Sequence, residues 1–184
     1  MTLHAEQSQL LLIDMQERLV PAMRQPERVI KKASILAEAA AVIGVPVTIS
    51  EQYRKGLGAT NEVVLAATKK RAVSLEKMAF SCHRDEGLRE RLTQLRSEGK
   101  RDVVIAGVES HVCVLQTALD LAEHDFGVVV VADATSSRFK RDARLAFRRL
   151  REAGVIVVST EMVVFEWLER AGTAEFKALS KLIK

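Results

Sequence analysis

Cysteine is scarce in this chain: Cys82 and Cys113 are the only two in 184 residues. That excludes a small scaffold stapled by several disulfides. The opening stretch, Met1 to Gln9, is short and polar and does not read as a secretory signal. A reduced, cytoplasmic protein with free thiols is therefore expected. Prolines number three and glycines nine, and no linker, repeat or low-complexity segment appears. The longest irregular stretch is Glu51 to Thr60, whose Tyr53-Arg54-Lys55-Gly56-Leu57-Gly58 reads as a mobile loop after the second strand. No apolar run approaches the roughly 20 residues that span a bilayer. Charge of one sign is also lacking. Lys plus Arg is 28 and Asp plus Glu is 24, a net +4. Much of that surplus lies between Arg138 and Arg151, in Lys140, Arg141, Arg144, Arg148 and Arg149. With Leu145 and Leu150 among these charges and Asp142 and Glu152 nearby, the segment reads as a solvated helix face rather than a nucleic-acid patch.

What is present is alternation. Short β-rich apolar runs occur at Gln9–Asp14, Val45–Ser50, Ala72–Leu75, Asp102–Gly107, Gly127–Ala132 and Gly154–Ser159. Several are continuous Val, Ile and Leu, as in parallel strands covered on both faces. Between them lie helix patterns at Glu27–Ile43, Asn61–Thr68, Asp85–Ser97, His111–Glu123 and Arg138–Ala153. Glycines precede several strands (Gly44, Gly99, Gly127, Gly154), as at helix ends that turn back to a sheet. The length suits one domain. The predicted fold, over residues 1–184, is a single α/β domain: a Rossmann-like three-layer αβα arrangement with a parallel sheet of about six strands.

Ligands of such sheets bind at the carboxyl ends of the strands. Strand one ends in Asp14, strand three is followed by Glu76 and Lys77, and strand five by Asp133. Strand four runs into Gly107-Val108-Glu109-Ser110-His111-Val112-Cys113 at the start of a helix. A helix start offers unpaired N–H groups and a positive dipole end, which suit a thiolate or an oxyanion. A thiol is mostly protonated at neutral pH, so it needs a base or a nearby cation. Asp14 can take the proton from Cys113 and return it to a leaving amine, while Lys77 can favour the thiolate and keep the carboxylate charged. Backbone N–H groups of the turn can receive an oxyanion. The expected chemistry is amide hydrolysis through a thioester. Along the following helix, Val112, Leu115, Leu119 and Ala122 form the apolar stripe. Cys113, Gln116, Thr117 and Asp120 share another face, off-centre from the core.

Other readings remain. Cys82-His83 and His111-x-Cys113 contain zinc-ligand types, but neither has a structural-zinc spacing. A dinucleotide fold lacks its Gly-x-Gly-x-x-Gly, since Asp14-Met15-Gln16-Glu17 follows strand one. A thiol redox-sensing or small-molecule-binding domain would keep the same fold without turnover.

Three segments, Leu12-Ile13-Asp14-Met15-Gln16, Glu76-Lys77-Met78-Ala79-Phe80-Ser81 and Gly107 to Cys113, resemble the isochorismatase-like cysteine hydrolases in order and spacing. The likeness runs from about Gln9 to Ser159. Glu51 to Gly58 and Leu115 to Leu121 look most like the isochorismatase domain-containing branch. The resemblance implies a triad of Asp14, Lys77 and Cys113. It also implies a cis peptide between Val108 and Glu109, with the N–H groups of Glu109 and Cys113 as oxyanion hole. Phe80 and Tyr53 are the residues expected to reach the substrate. Nicotinamidases of the superfamily carry a metal-binding Asp and His cluster after the second strand. Here Ser50-Glu51-Gln52-Tyr53 stands in that place, so no metal and no cofactor is expected. Isochorismatases proper act on an enol ether and lack the cysteine, so Cys113 argues for amide chemistry instead. The expected partners are a small-molecule substrate and further copies of the chain, as a dimer or larger, without nucleic acid or membrane.

Overall fold

The computed structural model describes residues 2–183. In chain order the main elements are β1 (Ser8–Ile13), α1 (Pro26–Ile43), β2 (Val47–Gln52), α2 (Arg54–Leu57), α3 (Glu62–Ala67) and β3 (Ala72–Lys77). There follow α4 (Glu86–Ser97), β4 (Asp102–Val108), α5 (Leu115–Glu123), β5 (Gly127–Ser136), α6 (Lys140–Glu152), β6 (Ile156–Val158), α7 (Thr160–Leu168) and α8 (Ala174–Ile183). All strand pairings are parallel and the sheet order is β3-β2-β1-β4-β5-β6. Every residue of β1 and β4 is buried, which is why these segments read as unbroken apolar runs.

The pleat divides those runs between two cores. Leu10, Leu12, Ile49, Val104 and Val129 face one side, against Ala33, Leu36, Ala40 of α1 and Trp167 of α7. Leu11, Ile13, Val103, Ile105 and Val130 face the other, against Leu88 and Leu92 of α4, Ala118 and Leu121 of α5 and Leu150 of α6. The result is a three-layer αβα fold. The order matters for function. The chain steps outward from β1 to β3, then returns to place β4 on the other side of β1. The strand order therefore reverses between β1 and β4, and a crevice opens beyond their carboxyl ends.

The structure departs from the expected elements in two places. Glu51–Thr60 is not an irregular loop: β2 continues to Gln52, a helical turn follows at α2, and Gln16 pairs with Thr60 in an isolated antiparallel bridge. Gln16 carries the closure, because its buried side-chain amide donates to the carbonyls of Gln52 (3.0 Å) and Gly58 (2.7 Å). The second departure is α7 and α8, which the sequence pattern did not reveal. Four consecutive apolar or aromatic residues in α7, Met162 to Phe165, blur its helical period. Its start is set by Ser159, whose hydroxyl accepts from the Met162 N–H, and by Asp133, which accepts from both the N–H and the hydroxyl of Thr160. Asp133 is thus a structural acid, also 3.5 Å from the Lys32 ammonium.

Candidate functional site

The carboxyl rim of the sheet brings together three side chains that are far apart in sequence. Lys77 is the last residue of β3, and its Nζ lies 2.8 Å from Asp14 Oδ2, with both side chains fully buried. The same ammonium lies 3.6 Å from Cys113 Sγ. Register explains how. Lys77 pairs with Gln52 across β2 and β3, and Ser50 pairs with Ile13 across β2 and β1. Residues 50 and 52 share one face of β2, so both can serve the residues beside them. Ser50 donates to Asp14 Oδ1 (2.7 Å), and Gln52 Oε1 accepts from Lys77 Nζ (2.6 Å). The Phe80 carbonyl completes the lysine's shell at 3.2 Å.

Ser50 and Gln52 were missed in the sequence reading. The available signal was a row of polar residues at alternate positions of one strand, Thr48, Ser50 and Gln52, running into the stretch where nicotinamidases would carry metal ligands. Here these residues hold Asp14 and Lys77 instead.

The surroundings set the protonation states. Burial raises the pKa of Asp14, and the adjacent Lys77 charge offsets that rise only in part. Burial pulls Lys77 down, but Asp14 together with the sulfurs of Cys82 and Cys113 outweighs it and holds the ammonium above its ordinary value. Burial and then the Asp14 charge push the Cys113 thiol well up, against the pull of Lys77. Cys82 is likewise raised, to about 11, chiefly by burial. Lys77 favours the thiolate, as expected, but burial and the Asp14 charge outweigh its pull. The thiol therefore rests protonated and the lysine charged at neutral pH, beside a carboxyl whose pKa lies above that of an ordinary aspartate.

The turn carrying Cys113 is built on Gly107. Its φ is +125°, and an added Cβ would run into the backbone of Ile13 in the neighbouring strand, so only glycine fits. The Val108–Glu109 peptide is cis, as the resemblance implied. A π-helical turn, Ser110–Val114, then leads into α5, with the N–H groups of Val112 and Val114 both donating to the Glu109 carbonyl. Cys113 is 6% exposed, at the floor of the rim.

Other expected residues are placed differently. Phe80 reaches the site through its carbonyl, and Tyr53 donates its N–H to the Lys77 carbonyl (3.0 Å). Both rings stand about half exposed, and that of Tyr53 lies against Gly56. His83 packs on His124, with ring centroids 4.2 Å apart, while His111 Nδ1 pairs with Ser137 Oγ at 2.9 Å. The two Cys/His pairs thus turn their imidazoles to different neighbours. Cys82 is buried beside the site, where its N–H donates to Thr117 Oγ1 (2.9 Å). That bond corrects the expected face of α5. Thr117 and Asp120 are buried rather than off-core, because the segment before α4 covers them. The Arg84 guanidinium there donates to both Asp120 carboxylate oxygens, at 2.7 and 2.9 Å.

Comparison with known proteins agrees with this fold. A family model described as the isochorismatase domain matches residues 8–162. Isochorismatase domain-containing protein 1 of Danio rerio is 40% identical over 93% of this chain, and the match covers 59% of that protein. The chain therefore spans about three fifths of that relative's length. A secreted isochorismatase effector, Isc1, of Phytophthora sojae is 36% identical over 96% of this chain and 84% of its own length. Among solved structures, the MAR1 ribonuclease of Caenorhabditis elegans superposes with a TM-score of 0.91. It is 30% identical and covers all of this chain and 92% of its own. With the domain model matching most of its length and relatives of 36–40% identity, the chain belongs to the isochorismatase family.

Proposed function

We propose that the protein is a cysteine hydrolase that cleaves the carbon–nitrogen bond of a small amide without a metal. The observation that carries this reading is the buried contact of Lys77 Nζ with both Asp14 Oδ2 (2.8 Å) and Cys113 Sγ (3.6 Å). Cys113 Sγ attacks the amide carbon as its S–H proton passes to the Asp14 carboxylate. The carbonyl electrons move to oxygen, which the N–H groups of Glu109 and Cys113 receive. Collapse expels the amine, which takes the proton from Asp14, and leaves a thioester on Cys113. Water then attacks the thioester, its proton passing to Asp14. The acid departs and the thiolate is reprotonated by Asp14.

Lys77 stays charged throughout and offsets the negative charge shared by thiolate and carboxylate. A thiol held neutral at rest fits this scheme, because the proton leaves only as the sulfur–carbon bond forms. The raised Asp14 makes it a better base than an exposed aspartate.

The test is mass spectrometry of the intact protein after incubation with a panel of small amides. A covalent acyl adduct is expected in wild type and in Cys82→Ala, and none in Cys113→Ala. Asp14→Asn is expected to lower turnover by about 100-fold or more, the usual range for loss of a general acid–base. Turnover that survives Cys113→Ala, or is unchanged in Asp14→Asn, sinks the scheme.

A second reading comes from the relative named as a ribonuclease. The 6% exposure of Cys113 and complete burial of the Asp14 and Lys77 side chains favour a small substrate over a polynucleotide. Cleavage of RNA that is lost in Cys113→Ala would reverse that preference.

A further inference from the structure

A second polar cleft lies away from Cys113, at the open edge of β5. Strand β6 pairs with β5 only as far as Val131, so the end of β5 has no neighbouring strand on that side. The start of α1 and the start of α6 close in over the gap and leave a cleft of about 230 Å³. Arg24, Arg28 and Lys140 line it together with Ser136 and Ser137, and no Asp or Glu does.

Three cations facing one small cavity is an unfavourable arrangement unless something negative joins them. Among the described residues none of the three forms an ion pair. Arg28 spends one donor on the Thr135 carbonyl (3.3 Å), while its buried Nε has no partner. Leaving a buried donor unpaired costs about 1–3 kcal/mol. The N-terminus of α6, beginning at Lys140, adds the positive end of its dipole.

We propose that this cleft binds a phosphate-class oxyanion, free or as the phosphate group of a larger molecule. A doubly charged tetrahedral oxyanion can take donors from several directions at once. Two guanidinium groups and an ammonium on separate elements meet that need.

The cleft is wired to the cysteine turn. Ser136 Oγ donates to the Arg24 carbonyl (2.7 Å), and the Arg24 N–H donates to the Ser137 carbonyl (3.2 Å). Ser137 Oγ pairs with His111, and the N–H and Nε of Arg138 both donate to Glu109 Oε2 at 3.1 Å. An anion drawn against residues 136 and 137 therefore acts on the segment that holds Glu109 and His111.

The experiment is calorimetric and thermal-shift titration of the whole protein with inorganic phosphate at constant ionic strength, with sodium chloride and acetate as references. Saturable binding is expected for phosphate alone. The double variant Arg24→Gln/Lys140→Gln should weaken it at least tenfold. Arg148→Gln/Arg149→Gln, on the outer turns of α6, should retain it. Should the first double variant fold poorly by circular dichroism, Lys140→Gln alone, at an exposed position, should still weaken binding several-fold. Cys113→Ala should bind phosphate like wild type, which separates this site from the hydrolytic one. Phosphate acting no differently from chloride or acetate overturns the proposal, as does binding unchanged by the Arg24 and Lys140 substitutions. Loss of binding in Cys113→Ala also overturns it.

Discussion

Asp14 lies at the floor of the rim with the Lys77 ammonium 2.8 Å away, a charge that offsets part of what burial does to its carboxyl. Burial has raised its pKa, so it takes up a proton at a higher pH than an exposed aspartate does. In the proposed mechanism Asp14 must begin as the base. Activity should therefore fall as pH drops through that raised value, placing the acid limb of kcat/KM above the ordinary aspartate range. On the alkaline side, both Lys77 and Cys113 are raised. Neither changes charge near its ordinary pH, so the plateau should extend beyond pH 9. Alkylation of Cys113 by iodoacetamide at neutral pH should accordingly be slow, since it requires the thiolate. A fast reaction at pH 7, or an acid limb at or below about 4, contradicts this picture of the site.

The three side chains were legible in the sequence because each ends or follows a strand and the chemistry of a thiol calls for the other two. Ser50 and Gln52 were not, because their roles depend on register: only the pairing of Ser50 with Ile13 and of Gln52 with Lys77 puts them beside the charges they satisfy.

Among the elements, the junction of β4 with α5 is the most constrained. Gly107 has a backbone conformation that other residues rarely adopt, and its neighbour Ile13 leaves no room for a Cβ. Gly107→Ala should destabilise the fold by about 3 kcal/mol or more. For a chain of this size that lowers Tm by roughly 6–12 °C. Thr117→Val tests a different link, since it deprives the buried Cys82 N–H of its acceptor. An expected loss of about 1–3 kcal/mol follows from the unpaired donor, read by chemical denaturation. No change in either variant would show that the junction tolerates what its geometry forbids. The face of α5 also marks where periodicity misleads. Thr117 and Asp120 read as lying on a face off-centre from the core, yet both are buried: the Cys82 N–H reaches Thr117, and the exposed Arg84 covers Asp120. A polar residue on a helix can be buried wherever a partner from elsewhere in the chain arrives.

At the scale of the whole molecule, several large apolar side chains remain uncovered on one side. Met78 is 69% and Phe80 55% exposed, both just beyond β3, an edge strand whose Val73 is also exposed. We propose that a further copy of the chain docks on this edge and covers them. Sedimentation velocity should give a dimer or larger species, and Met78→Ser/Phe80→Ser should shift it toward monomer. A wild-type monomer at tens of micromolar would remove the interface.

The alternation of apolar runs and helix patterns determined the layered α/β class, because strands covered on both faces must be apolar throughout. The residue types at the strand ends, an acid, an amine and a thiol, determined which chemistry the rim can host. What only the tertiary structure decided is the state of those groups. Sequence places Asp14, Lys77 and Cys113 at the rim. Burial then raises both the thiol and the carboxyl, while the 2.8 Å ion pair with Lys77 and the hydrogen bond from Ser50 offset only part of that rise at Asp14. The charge of a group depends on its distance to other charges and to water, and the fold alone sets both.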